Sequence, residues 1–264
     1  MQRIAVSATA LLLAAHATCA SAQTTQLEAA YSVYLTGLSI GRAQVNIKFT
    51  EDGFVAVGSA KSSGLIRLVS KGDGSATVRG SLKANRVIAS TFSGRYNSSR
   101  REQKIELSVT NGVAEVISIQ PPLNTDKGRV PITDESRTNV VDPMSAMLAL
   151  IAKGDLLSPE SCNRTLPIFD GRYRFNVVLS YARDEKSITA EGYQGPTIVC
   201  RARYVPIAGH RDRETVKQMA DSHDMFVWLA PVSGTRVLAP IKASVATPIG
   251  TFTVEATRFK TTRH

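Results

Sequence analysis

The chain has 264 residues and a formal net charge of +10. Its basic residues are scattered rather than clustered, so nucleic acid is not expected as a partner. The excess charge fits either ordinary solubility or a weak attraction to the anionic surfaces of a cell envelope. Beyond residue 22 no apolar stretch approaches transmembrane length, so no integral membrane segment is expected in the mature chain.

Residues 1–22 have the pattern of a secretory signal peptide. Arg3 supplies a positive start, residues 4–15 form an apolar run too short to span a bilayer, and Ala20-Ser21-Ala22 is a small-residue cleavage site. The pattern predicts cleavage after Ala22, a mature chain that begins at Gln23, and export to the periplasm.

The three cysteines divide between the leader and the mature chain. Cys19 follows His16-Ala17-Thr18, a poor lipidation site, so a lipoprotein anchor is the weaker interpretation. Cys162 and Cys200 remain, and an even number of cysteines in an exported chain predicts a disulfide bond. Two free buried thiols are the alternative. Two cysteines so far apart offer too few ligands for a metal site, and no cofactor or metal is expected.

Residues 23–264 read as a single β domain. Apolar and polar residues alternate with a period of two in about a dozen short runs, the pattern of half-buried strands. Thr110-Asn111-Gly112 predicts a tight hairpin, whereas residues 64–70 fit either a strand or a short helix. The predicted strands cover residues 30–35, 43–49, 54–58, 75–80, 87–96, 103–109, 113–119, 172–181, 198–204, 225–229, 237–245 and 251–259.

One helix is predicted, over residues 142–153. Asp142 is a favourable N-cap and Pro143 fits the first helical position, while Lys153-Gly154 marks the end. The expected architecture is all-β, a highly curved antiparallel sheet (an open barrel or a β-spiral) with this helix packed in its concave face.

The apolar face of this helix is the candidate binding surface. Its residues and the single tryptophan are expected to line a ligand groove, although plain core packing is nearly as good an interpretation. No catalytic residues are expected, because no two carboxylates stand out as a pair for glycoside hydrolysis, and the neighbours of His210 and His223 match no standard metal-ligand spacing. The candidate groove residues are Met144, Met147, Leu148, Ile151 and Trp228.

Several short segments resemble a known family. They are residues 31–41 (YSVYLTGLSIG), 142–147 (DPMSAM), 169–172 (FDGR), 228–231 (WLAP) and 240–242 (PIK). Together they resemble the exported bacterial proteins grouped as domain-of-unknown-function family 3108. That resemblance implies no assigned activity and no catalytic residues.

The chain is also broadly similar to periplasmic envelope-integrity proteins with a spiralling β-sheet, and to lipoprotein-carrier half-barrels. These are analogies of fold, which does not fix function. They favour a non-enzymatic periplasmic protein that supports the cell envelope by binding a lipid, a lipopeptide or a partner protein. The alternatives are a hydrolase acting on an envelope polymer and a structural assembly factor with no small ligand.

We expect the exported protein to begin at Gln23, because the Ala-Ser-Ala site directs cleavage after Ala22. N-terminal sequencing and intact mass of protein purified from the periplasm measure this directly. A mature chain that starts at Met1, or at a lipidated Cys19, would contradict the expectation.

Overall fold

A computed structural model describes residues 23–64, 71–83, 86–99, 101–123 and 128–264. The predicted signal peptide, Cys19 and residues 65–70 of the ambiguous segment lie outside these ranges. The described residues form one antiparallel sheet of 14 strands, in the order β7-β6-β5-β4-β3-β2-β1-β14-β13-β12-β11-β10-β9, with the short β8 paired to β13. Strands that are consecutive in sequence are mostly neighbours in the sheet. The chain therefore forms two meanders, β1 to β7 and β9 to β14, which join where β1 pairs with β14.

The strands and the single α-helix of the described residues are β1 (Thr25–Leu35), β2 (Leu38–Phe49), β3 (Gly53–Ser62), β4 (Gly72–Lys83), β5 (Arg86–Ser98), β6 (Arg101–Thr110), β7 (Val113–Gln120), β8 (Ala149–Leu150), β9 (Arg164–Phe169), β10 (Arg174–Ala190), β11 (Tyr193–Ala208), α1 (Glu214–Asp221), β12 (Met225–Pro231), β13 (Val237–Thr247) and β14 (Gly250–Arg263).

The all-β prediction is confirmed, and each of the twelve predicted runs falls almost wholly within an observed strand. The Asn111-Gly112 hairpin is also confirmed, since both residues have the positive φ angles (53° and 78°) that a tight hairpin turn requires. The sequence pattern missed β8 and β9. β9 contains Pro167 and does not alternate cleanly, which hides it from a test of period two.

Cross-strand register places the inward-facing side chains of β1 to β6 in rows that run across the sheet. Each row contains one residue from each of the six strands. The first row is Tyr31, Ala43, Ala60, Gly74, Tyr96 and Gln103; the second is Ala29, Val45, Gly58, Ala76, Gly94 and Ile105; the third is Leu27, Ile47, Ala56, Val78, Phe92 and Leu107.

The sheet is nearly closed into a barrel by a segment that contacts both of its edge strands. Thr138 forms a bridge to Val113 of β7, and Val141 forms a bridge to Ile168 of β9. The Val141 N–H donates to the Pro167 carbonyl at 2.8 Å, and the Val141 carbonyl accepts from Phe169 at 3.0 Å. Backbone groups that two edge strands would otherwise expose are thereby paired.

The predicted disulfide is confirmed. Cys162 and Cys200 are bonded, their Cα atoms lie 5.4 Å apart, and both are fully buried. They belong to an apolar cluster that also contains Ile151, Leu179 and Ile198. A bond of this kind persists in oxidising, exported compartments.

The helix predicted over residues 142–153 is wrong. This segment forms one 3-10 turn, Ser145–Met147, followed by β8, which pairs with β13. The Asp142 carboxylate accepts the N–H groups of Met144 and Ser145, each at 2.9 Å, and the Ser145 hydroxyl. Asp142 therefore forms side-chain hydrogen bonds at the start of the turn, although Met144 occupies the N-cap position, and pairing of Ala149 and Leu150 with an available strand overrides helix continuation.

The observed helix is elsewhere. α1 (Glu214–Asp221) has no buried residue and contacts β11 from outside, so it does not occupy the concave face. Among the described residues, no helix combines the length and the apolar composition that crossing a membrane requires.

Replacing both cysteines, Cys162→Ser with Cys200→Ser, is expected to lower the free energy of unfolding by about 2–5 kcal/mol, because the bond restricts the unfolded chain and its sulfurs are fully buried. Urea unfolding of the native and doubly substituted proteins measures the difference. Two titratable thiols in the non-reduced native protein would show that the bond does not form in solution.

Asp142 provides a second test. Burial raises the pKa of its carboxyl above the ordinary value of 3.8, although hydrogen bonds from Ser145 and Met144 oppose the shift. Asp142→Ala leaves two buried N–H groups without an acceptor and is expected to lower the free energy of unfolding by about 1–3 kcal/mol. Asp142→Asn keeps an acceptor and is expected to lower it by less than about 1 kcal/mol.

The pH dependence follows from the raised pKa. The folded protein holds the carboxyl proton of Asp142 more tightly than the unfolded chain does. The stability that this protonated carboxyl contributes is therefore fully present below pH 3.8 and is lost as pH rises through the folded-state pKa. The free energy of unfolding of the native protein, taken relative to that of Asp142→Asn, should therefore be lower near neutral pH than at about pH 4. Urea unfolding at both pH values tests this. An Asn variant as unstable as the Ala variant would instead show that the charge itself stabilises the turn.

Candidate functional site

The barrel encloses an apolar cavity of about 630 Å³. Its wall consists of the inward faces of β1 to β6 and β12 to β14, together with the turn that follows Asp142. Ala60 is exposed and Tyr96 is 46 % exposed, so the cavity opens to solvent at the first row. Inward-facing residues of the wall include Tyr31, Ala43, Val45, Gly58, Ala60, Gly74, Ala76, Phe92, Gly94, Tyr96, Gln103, Ile105, Val227, Pro240 and Val254.

Small side chains create this space. On β3, β4 and β5, glycine or alanine occupies five of the six positions in the first two rows: Ala60 and Gly74 in the first row, where β5 contributes Tyr96, and Gly58, Ala76 and Gly94 in the second. A β-strand normally fills its inner face with larger apolar side chains, since glycine weakens a strand and packs nothing. Small residues at facing positions of three strands therefore leave room for a ligand.

The third row fills the barrel below the cavity. Leu27, Ile47, Val78, Phe92 and Leu107 are all buried, and they belong to the main apolar cluster of the molecule. The inner face thus changes along the barrel from a packed core to an empty, open end. This boundary is set by the register of the rows, because one step of two residues along each strand moves from one row to the next.

Two of the predicted groove residues lie at the cavity. Met144 and Met147 both line it, and the terminal methyl group of Met144 would lie 3.2 Å from a Cβ added at Gly58. The end of the Met144 side chain therefore lies against the wall at Gly58. Methionine side chains are flexible and polarizable, which suits a wall that adapts to a ligand.

The other three predicted groove residues lie elsewhere. Leu148 is buried and lines a crevice of about 10 Å³ that adjoins the third row. Ile151 packs in the disulfide cluster. Trp228 is buried on the opposite face of β12 from Val227, which lines the cavity, and Lys242 and Arg183 lie over its ring. The helical periodicity that grouped Leu148 and Ile151 with the methionines does not apply to a 3-10 turn and a strand.

Two polar side chains at the cavity, Tyr31 and Asp170, are engaged in hydrogen bonds. The Tyr31 hydroxyl donates to the Pro240 carbonyl at 2.8 Å, and burial raises the pKa of this tyrosine. Asp170 accepts the N–H groups of Arg172 and Tyr173 at 2.8 and 2.7 Å, which fixes the turn between β9 and β10. Burial raises the pKa of the Asp170 carboxyl, and these bonds together with Arg172 oppose the shift.

A second cavity of about 710 Å³ adjoins the open end. It shares Gln103 and Arg172 with the apolar cavity, and its lining also includes Arg101 and Arg129. We call Arg101, Arg129 and Arg172 the arginine pocket. No sequence period connects its members, because the three residues come from β6, from the segment that closes the barrel, and from the β9–β10 turn.

One pentapeptide of the chain matches a sequence pattern of serine hydrolases. The pentapeptide Gly37-Leu38-Ser39-Ile40-Gly41 has the Gly-x-Ser-x-Gly spacing of serine hydrolases, which the expectation of no catalytic residues did not take into account. That motif acts on a strand-to-helix turn. Here Leu38–Gly41 belongs to β2, and Ser39 pairs with Tyr34 in the β1–β2 hairpin. Within the described ranges, no three His, Cys, Asp or Glu side chains gather at metal-binding spacing.

The chain was compared with known proteins. The family model described as "Protein of unknown function (DUF3108)" matches residues 30–257. A solved structure, the beta-barrel-like protein of domain of unknown function DUF1849 from Brucella abortus, is 8 % identical and superposes with a TM-score of 0.51, covering 91 % of this chain and 98 % of that chain. It shares the fold alone. No match was found among curated proteins. The family match spans most of the strands, including those that line the cavity, and the chain is a member of the DUF3108 family.

Proposed function

We propose that this protein is a non-enzymatic binding protein of the periplasm that supports the cell envelope by holding a lipid or lipopeptide chain in its barrel. The observation that carries this proposal is the open apolar cavity lined by small residues. Its volume of about 630 Å³ lies within the range of roughly 300–1,000 Å³ that is usual for small-molecule sites.

The shape of the wall supports an elongated apolar ligand. The small residues Gly58, Ala60, Gly74, Ala76 and Gly94 lie on adjacent strands, so they form a continuous smooth strip across the sheet. An alkyl chain lying along this strip removes its own surface and that of the wall from water. Each buried methylene group contributes about 0.8 kcal/mol to such binding.

The two alternatives fit the geometry less well. A structural assembly factor with no small ligand needs a packed interior, whereas two rows of this interior contain small residues that leave it open. A hydrolase needs a free acid, base or nucleophile at the cavity. Asp170 is a carboxyl at this cavity, and it is engaged by the backbone of its own turn. Among the described residues, no surface feature supports the binding of a partner protein as the cavity supports the binding of an apolar chain.

Filling the cavity tests the proposal. Ala76 is half-buried at the centre of the second row, next to Gly58 and Gly94. Ala76→Leu is expected to weaken binding of the neutral apolar dye phenylnaphthylamine by at least about tenfold. The larger side chain occupies space in which part of the ligand would be buried, and burial of that part contributes about 1.4 kcal/mol to binding. Dye fluorescence measures the affinity, and thermal unfolding confirms that the variant folds.

Thr77→Leu is the matched control, because Thr77 is the next residue on β4 and lies on the outer face, outside the cavity lining. It adds the same side chain outside the barrel and should leave dye binding unchanged. Should Ala76→Leu fail to fold, Ala60→Leu places the side chain at the exposed rim instead. Wild-type affinity in a folded Ala76→Leu variant, or equal losses in both β4 variants, would reject the cavity as the binding site.

A further inference from the structure

The arginine pocket concentrates positive charge at the open end of the apolar cavity. Arg101 has the same strand parity as Gln103 and Ile105, so its side chain projects from the inner face of β6 at the rim. Arg172 lines both cavities, and Arg129 lies beside it in the second. Burial lowers the pKa of Arg172, Asp170 raises it, and Arg101 and Arg129 lower it further, so the Arg172 guanidinium lies close enough to each of the other two for repulsion.

Two of these arginines are anchored, and within the part of the chain that the structure describes they still have donors without an acceptor. An Nη atom of Arg172 donates to the Pro121 carbonyl, and an Nη atom of Arg129 donates to the Gly209 carbonyl, each at 2.6 Å. A guanidinium has five N–H donors, so each keeps several for another acceptor. The Nε of Arg129 is buried and has no hydrogen-bond partner among the described residues. A buried donor without a partner is unfavourable, which an anionic acceptor in this pocket would correct.

The charge balance favours an anion. Among the described residues, three arginines and no acidic side chain line this cavity, and the acidic group that interacts with Arg172 is the Asp170 carboxylate. Its Oδ1 atom is already bonded to the turn backbone. The pocket therefore keeps a net positive charge, and the forked geometry of arginine matches phosphate and carboxylate oxygens.

The position of the arginine pocket beside the apolar cavity indicates the kind of ligand. Gln103 and Arg172 line both spaces, so the two cavities adjoin at these side chains. We propose that the ligand of this barrel is an anionic amphiphile, whose alkyl chain lies along the small-residue strip while its phosphate or carboxylate head group is bound by Arg101, Arg129 and Arg172. This inference rests on the proposed function and names the ligand class.

Competition between two probes of equal chain length tests it. Dodecyl phosphate and dodecanol, each below its aggregation concentration, are used to displace phenylnaphthylamine from the native protein and from Arg101→Gln with Arg129→Gln. The double variant is expected to bind dodecyl phosphate about tenfold more weakly and dodecanol within about twofold of the native protein, since only the charged head group loses hydrogen bonds. Added NaCl should weaken binding of dodecyl phosphate and spare dodecanol.

Controls separate the two parts of the site. Arg79→Gln removes the same charge from an exposed outward-facing position on β4 and should change neither affinity. Arg101→Glu, a single change at an exposed rim residue, provides the charge test if the double variant does not fold. Inorganic phosphate alone should not displace the dye, because it reaches the arginine pocket only.

Each contrary outcome has a distinct meaning. Equal loss for both probes, or unchanged affinity for dodecyl phosphate in the folded arginine variants, would overturn the head-group site and leave the cavity proposal standing. Displacement of the dye by inorganic phosphate would overturn the two-part geometry. If neither amphiphile displaces the dye from the native protein, the proposed function fails and the head-group site fails with it.

Discussion

Closure of the sheet is the constraint on which the rest of this structure depends. β7 and β9 are its two edge strands, and the segment that contains Thr138 and Val141 forms a bridge to each of them. Without those contacts the inner face of a long antiparallel sheet would be open to water along one side. With them, the same face forms the wall of a barrel, and a difference in side-chain size along that wall becomes a difference between a packed core and a cavity.

The turn that follows Asp142 connects closure with the site. Asp142 follows Val141 directly, and its carboxylate accepts the N–H groups that begin the Ser145–Met147 turn. That turn places Met144 and Met147 against the small residues of the sheet. One short stretch of chain therefore joins the sheet edges, forms one wall of the cavity and leads into β8, which pairs with β13. The arginine pocket lies at the open end of the same cavity, where residues from three separate segments meet.

The inner face of β3 to β5 contained a signal in the sequence that strand prediction alone did not use. Gly58, Ala60, Gly74, Ala76 and Gly94 occupy alternate positions in runs that were predicted as strands or that extend them. Alternation shows which face is less polar, but it does not show whether that face is filled. Only the register, which sets Gly58 beside Ala76 and Ala76 beside Gly94, shows that the small residues form one continuous strip.

The amino-acid sequence by itself determined the strands and the pairing of Cys162 with Cys200, because period-two alternation and an even cysteine count are local or compositional signals. It also indicated that Asp142 accepts hydrogen bonds from the backbone that follows it, since such bonds need only the next few residues. The tertiary structure decided that a turn and a strand follow Asp142, because a partner strand was available to Ala149 and Leu150. It alone brought Arg101, Arg129 and Arg172 together, since sheet closure joins positions that no sequence period connects.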